Sequence, residues 1–92
     1  MSKRQGQTVL ITGASSGIGQ ATALYLAERG YSVIGTSRSI ARLGSLQSEA
    51  AKLGISVASV ELDINSDEDV DGALPRIMEE HGVIDVLVNN AG

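Results

Sequence analysis

The chain is 92 residues long, carries a net charge of −4 and contains no cysteine and only two aromatic residues, Tyr25 and Tyr31. That length holds one small domain, and its core must be made of Ile, Leu, Val and Ala, which suits helices packed on a parallel sheet. The seven basic residues (Lys3, Arg4, Arg29, Arg38, Arg42, Lys52 and Arg76) are scattered and form no stripe, which argues against nucleic acid or an anionic membrane as partner. Without cysteine there are no disulfides and no thiolate metal sites, in keeping with a reducing compartment. Residues 1–7 form a polar tail without the apolar core of a signal peptide, and no apolar run approaches the roughly 18–20 residues that span a bilayer. The expected location is cytoplasmic.

From residue 8 onward, strand-like and helix-like periods alternate. Thr8 to Ile11 reads as strand one. Gly17 to Arg29 reads as helix one, with Ile18, Ala21, Thr22, Tyr25 and Leu26 on one face and Gly30 at its end. Ser32 to Ser37 reads as strand two. Ile40 to Leu53 reads as helix two, with Ile40, Leu43, Leu46, Ala50 and Leu53 at helical spacing and Gly54 as its stop. Ser56 to Leu62 reads as strand three. Helix three starts near Asp67 with Ser66 as N-cap and ends before Gly82, with Pro75 inside it, where a bend is expected; Ile84 to Val88 reads as strand four.

This alternation implies an α/β fold, a Rossmann-like parallel sheet with flanking helices joined by crossovers. Strand three alternates, with Ala58, Val60 and Leu62 opposed by Ser59 and Glu61, as befits an edge. Strands one and four are apolar throughout except for Asp85, as befits strands buried on both faces. The strand order that follows is 3-2-1-4, an incomplete doubly wound sheet in which strand four expects a further neighbour.

The stretch Thr12-Gly13-Ala14-Ser15-Ser16-Gly17-Ile18-Gly19 leads strand one into helix one. Closely spaced glycines let a backbone approach a pyrophosphate, and the new helix presents unpaired N–H groups and the positive end of its dipole. The spacing, G-x-x-x-G-x-G, departs from the G-x-G-x-x-G fingerprint, and a tight strand-to-helix turn is the plain alternative. A second motif, Asn89-Asn90-Ala91-Gly92, follows strand four.

Together, in this order and on these strands, the two motifs resemble the short-chain dehydrogenase/reductase family; the likeness runs from about Thr8 to Gly92 and implies that residues 8–92 form the N-terminal part of a dinucleotide-binding domain, cut after strand four. The resemblance implies residue roles. Gly13 allows the sharp exit from strand one, and Gly17 and Gly19 let the pyrophosphate and helix one come close. Ser15 and Ser16 lie beside the adenosine ribose, with the Ile18 backbone near the phosphates. Asp63 accepts a bond from the adenine amino group, with Ile64 beside it. Asn90, Ala91 and Gly92 line the adenosine-ribose side of the cleft, and Asn89 supports the central strand.

Cofactor choice is read at the end of strand two, where a carboxylate would hold the ribose 2′-OH of NAD and repel the 2′-phosphate of NADP. This chain has Gly35-Thr36-Ser37-Arg38 there. Arg38, helped by Ser37, suits a phosphate, so NADP is expected ahead of NAD; the plain alternative is that Arg38 only solvates the start of helix two.

In the family, a Ser and a Tyr-x-x-x-Lys pair carry proton transfer as hydride moves between nicotinamide and a carbonyl or alcohol carbon. Here Tyr25 and Tyr31 are followed four residues on by Arg29 and Gly35, so no catalytic residue is assigned and this chain alone is expected to be inactive. No metal site is assigned either. Asp63-x-Asn65-x-Asp67 opens like a calcium loop, but Glu68 and Leu74 stand where that loop needs Gly and Glu. His81, near the end of helix three, has no triad partners. A free-standing nucleotide-binding module, or a fragment completed by another chain, is the alternative reading, with self-association through strand four as its physical route. A flavodoxin-like or receiver domain shares the alternation but neither motif.

Overall fold

A computed structural model describes residues 7–15 and 17–90. Its elements are β1 (Thr8–Ile11), α1 (Gly17–Glu28), β2 (Ser32–Ser37), a 3₁₀ turn (Ile40–Leu43) running into α2 (Gly44–Leu53), β3 (Ala58–Glu61), α3 (Asp67–His81) and β4 (Val86–Val88). The four strands form one parallel sheet in the order β3-β2-β1-β4. This is the order expected from the contrast between the alternating edge strand and the apolar central one.

Register explains the two cores. Val9 pairs with Val33 and Val86, and Leu10 with Ile34 and Leu87, so alternate rungs face opposite sides of the sheet. Val9, Ile11 and Val33 join Ala23 of α1 and Leu46 and Ala50 of α2 on one side. Leu10 and Ile34 join Ala73 and Ile77 of α3 on the other. The result is three layers with β1 and β2 buried at the centre. Burial of this many branched aliphatic side chains, at about 1.5–3 kcal/mol each, is the main source of cohesion.

The helix ends follow local chemistry. Ser66 Oγ accepts the Asp69 N–H at 3.2 Å, and Asp67, Glu68 and Asp69 occupy the first turn of α3, where the helix dipole favours negative charge. Gly54, at φ 72°, caps α2. Pro75 lies on the exposed side of α3, which continues through it to His81.

Three expectations are corrected. Only part of the face expected in helix one packs inward: Leu26 rests against the core, but Ile18 is 76% and Tyr25 53% exposed, whereas Gly19 and Ala23 are buried. Small residues four apart let α1 lie close to its neighbours, with Leu24 and Leu26 packed partly buried against the same core, while Tyr25 stacks under the Arg29 guanidinium, 3.9 Å from the ring centre. The segment expected as one helix from Ile40 begins as a 3₁₀ turn; Leu43, Leu46 and Ala50 are buried, but Ile40 and Leu53 are half exposed. Strand four is shorter than expected and not buried: Val86 and Leu87 stand 42% and 57% exposed, because among the described residues β1 is its one neighbour.

Asp85, the charged residue before β4, has a structural task. Its Oδ2 accepts the Thr8 N–H at 2.7 Å while its own N–H donates to the Thr8 carbonyl at 2.9 Å. This reciprocal pair ties the starts of β1 and β4.

Candidate functional site

In a parallel sheet every strand ends on the same side, and here all four C-terminal ends feed one cleft of about 350 Å³. The end of β1 supplies Thr12, Gly13 and Ser15; that of β2 supplies Ser37 and Arg38; that of β3 supplies Leu62, Asp63 and Ile64; and the segment after β4 supplies Asn90. This is the crevice beyond the carboxyl edge where open α/β sheets bind ligands.

A set of hydrogen bonds builds the floor. Thr12, 1% exposed, donates its backbone N–H to the Val88 carbonyl at 3.0 Å and its hydroxyl to Asn89 Oδ1 at 3.1 Å. The same hydroxyl oxygen accepts the Asn90 N–H at 2.9 Å, and Asn90 Nδ2 donates to the Gly13 carbonyl at 3.3 Å. Thr12 and Gly13 of the first motif are therefore joined to Asn89 and Asn90 of the second, with Thr12 as the joint. On the other flank, Ala14 N–H donates to the Thr36 carbonyl at 3.0 Å, and the Thr36 hydroxyl donates to the Ile11 carbonyl at 3.2 Å. The glycine loop is thus held from both neighbouring strands.

The glycines divide the work. Gly13 and Gly17 adopt φ of 63° and 60°, left-handed conformations that side chains disfavour. Gly19 serves close approach: a Cβ there would lie 2.1 Å from the Gly13 carbonyl oxygen and 2.7 Å from Asn90 Nδ2. Gly19 therefore packs directly behind two residues of the cleft.

Charge and polarity are unevenly spread. Arg38 and Arg42 line the cleft, and neither guanidinium forms an ion pair or hydrogen bond with the described residues. Asp63 lines the same cleft, its Oδ1 accepting the Asn65 N–H at 3.0 Å in a local turn. Leu62 and Ile64 give the β3 side an apolar surface. The first turn of α1 carries no acidic residue, in contrast to α3, so its positive end is not offset by a side chain.

Of the residues singled out from sequence, Gly13, Ser15, Ser37, Arg38, Asp63, Ile64 and Asn90 meet in this cleft. Gly17, Ile18 and Gly19 open α1 and are not among its lining residues. Ser16, Ala91 and Gly92 lie outside the described residues. Asn89 Oδ1 accepts the Thr12 hydroxyl just beyond the end of β1. Sequence reasoning missed Thr12, Thr36, Leu62, Asn65 and Arg42 as part of the site. No spacing marked Arg42, because the 3₁₀ turn that carries it to the cleft was not expected.

Comparison with known proteins agrees with this fold. The family model for short chain dehydrogenase matches residues 7–92. The NADPH-dependent pterin aldehyde reductase of Arabidopsis thaliana is 45% identical over 86 residues, covering 94% of this chain and 35% of that protein. Among solved structures, the citronellol catabolism dehydrogenase of Pseudomonas aeruginosa PAO1 aligns over 96% of this chain and 37% of its own, at 40% identity and a TM-score of 0.89. A metagenomic short-chain oxidoreductase in complex with NADP aligns over 99% of this chain and 41% of its own, at 35% identity and a TM-score of 0.90. The chain spans about a third of the length of the curated relatives it matches.

Proposed function

The chain belongs to the short-chain dehydrogenase/reductase family, and from that premise we propose that its cleft holds the adenosine half of a dinucleotide, NADP(H) in preference to NAD(H). The observation that carries this reading is the convergence of Arg38 and Ser37 at the end of β2, with no carboxylate on that strand end, in a cleft walled by the glycine loop, Asp63 and Asn90. A volume of about 350 Å³ lies at the small end of ligand pockets, which run from roughly 300 to 1,000 Å³, and suits half a dinucleotide.

The residues fit such a guest. Leu62 and Ile64 offer an apolar wall for a base, and the second oxygen of Asp63 can accept from an exocyclic amine. Ser15 and Asn90 stand beside the position of a ribose. Arg38 makes charge-assisted contacts to a 2′-phosphate, and Ser37 adds a hydroxyl. The start of α1, reached across Gly13 and Gly17 and free of acidic side chains, offers N–H groups to a pyrophosphate. We extend the same roles to Ser16, Ile18, Ala91 and Gly92 on the family resemblance.

The nicotinamide of such a cofactor supplies or accepts the hydride in this family. We assign no catalytic residue within these 92 residues, because neither Tyr25 nor Tyr31 has a lysine four positions on. The substrate differs between relatives: a pterin aldehyde reductase and a citronellol catabolism dehydrogenase share this segment's fold and much of its sequence. The segment is accordingly read as cofactor-holding rather than substrate-choosing. Titration of the chain with NADPH and with NADH, followed by cofactor fluorescence, tests the proposal. Tighter binding of NADPH supports it, and equal or absent binding contradicts it.

A second reading concerns partners. The exposed side chains of Val86 and Leu87, and the strand edge of β4 with no neighbour among the described residues, favour pairing of this chain with a second polypeptide.

A further inference from the structure

We propose that Arg42 is a second ligand for the 2′-phosphate, completing with Arg38 a pair of guanidinium groups on the rim of the cleft; this rests on the reading of the cleft as an NADP(H) adenosine site. Arg42 sits in the 3₁₀ turn between β2 and α2, and the turn is what brings it there. Such a turn rises about 2.0 Å per residue against about 1.5 Å in an α-helix and winds more tightly, so the residues after Arg38 do not present the face that a helix begun at Ile40 would. Leu43, 1% exposed, anchors the turn in the core, and the Arg42 N–H donates to the Ser39 carbonyl at 3.1 Å. Ser39 N–H in turn donates to Ser37 Oγ at 3.4 Å, which links the turn to the end of β2. The backbone of Arg42 is therefore fixed beside the cleft while its side chain has no partner among the described residues.

Charge balance supplies the reason for two cations. A phosphate monoester carries about −1.5 to −2 at neutral pH. Arg38 alone leaves that charge partly uncompensated, whereas Arg38 and Arg42 together match it. Asp63 is the one acidic residue lining the cleft among the described residues, and neither guanidinium is paired with it. Two unpaired arginines on one small cleft repel each other, and an anion between them relieves that repulsion.

The test compares adenosine 2′,5′-bisphosphate with adenosine 5′-monophosphate, titrated by calorimetry into the 92-residue chain and into Arg42→Ala and Arg42→Lys. The proposal predicts that Arg42→Ala weakens the bisphosphate by roughly tenfold, leaves the monophosphate unchanged and flattens the salt dependence of bisphosphate binding. Arg42→Lys keeps the charge without the planar fork and recovers part of the loss. Equal weakening of both ligands overturns the proposal and assigns Arg42 to the adenine face. No weakening of either by Arg42→Ala, with the unaltered chain still favouring the bisphosphate, overturns this inference while leaving the cofactor reading intact. Failure of the unaltered chain to bind either ligand, or to prefer the bisphosphate, overturns both.

Discussion

A side chain on Gly19 would put its first carbon 2.1 Å from the carbonyl oxygen of Gly13, far inside any tolerable contact. The two glycines belong to one packing unit: the loop leaving β1 folds back onto the first turn of α1, and the absence of a Cβ is what lets them meet. Gly19→Ala should therefore disturb the loop itself, with an overpacking cost of about 1–3 kcal/mol. Gly17 is different, because a Cβ there meets nothing within 4 Å and the obstacle is only its φ of 60°. Gly17→Ala should cost about 1–2 kcal/mol. Urea unfolding of the three chains, read by circular dichroism, checks the difference. A Gly19→Ala chain as stable as the unaltered one would contradict the packing role.

Thr12 is the joint between the glycine loop and the segment after β4. Thr12→Val keeps the shape but removes the acceptor for the Asn90 N–H and the donor to Asn89 Oδ1. Leaving such groups unpaired costs about 1–3 kcal/mol, and the loss should be local to the end of β4. Amide hydrogen exchange is the measurement: Asn90 should exchange faster in the variant while Leu10 and Ile34, in the central strands, keep their protection.

Arg38 sets cofactor choice in this account. Arg38→Asp replaces a phosphate partner by a carboxylate, and the NADPH-to-NADH affinity ratio should fall by at least roughly tenfold. Arg38 is exposed, so stability should hardly change. An unchanged ratio would place the 2′-position elsewhere.

The edge of β4 should drive self-association. Val86 and Leu87 face opposite sides of the sheet, and both are substantially exposed. Flat apolar edges pair with other chains unless charge or proline blocks them, and the one nearby charge, Asp85, is engaged with Thr8. Val86→Lys should shift the chain towards monomer in a sedimentation concentration series. A concentration-independent monomer of the unaltered chain would contradict this expectation.

Much of the molecule was legible in its residues, and the exceptions have physical causes. Sheet order followed from the contrast between Ser59 and Glu61 on β3 and the unbroken apolar run of β1, because burial on two faces leaves a plain compositional mark. The face of α1 was legible only in part: Leu26 packs on the core as its spacing suggests, but the fully buried positions are Gly19 and Ala23, whose smallness counts for more than the hydrophobicity of Ile18 or Tyr25. Exposure of β4 depends on neighbours, and composition records only the environment a strand is suited to. Thr12 was read as part of a motif, but its bonds to Asn89 and Asn90, more than 75 residues away, needed the fold to be seen. Arg42 belongs to no pattern of its own, and only the 3₁₀ turn brings it beside Arg38.

The central claim is that the carboxyl edge of the sheet holds the adenosine half of NADP(H). Its most direct test is the change in backbone amide NMR shifts of the chain on addition of NADP. The account predicts shifts concentrated at Gly13, Ser15, Arg38, Asp63, Ile64 and Asn90, with Ser32, His81 and Asp85 at the opposite edge unmoved. Shifts centred on that opposite edge, or none at saturating NADP, would contradict it.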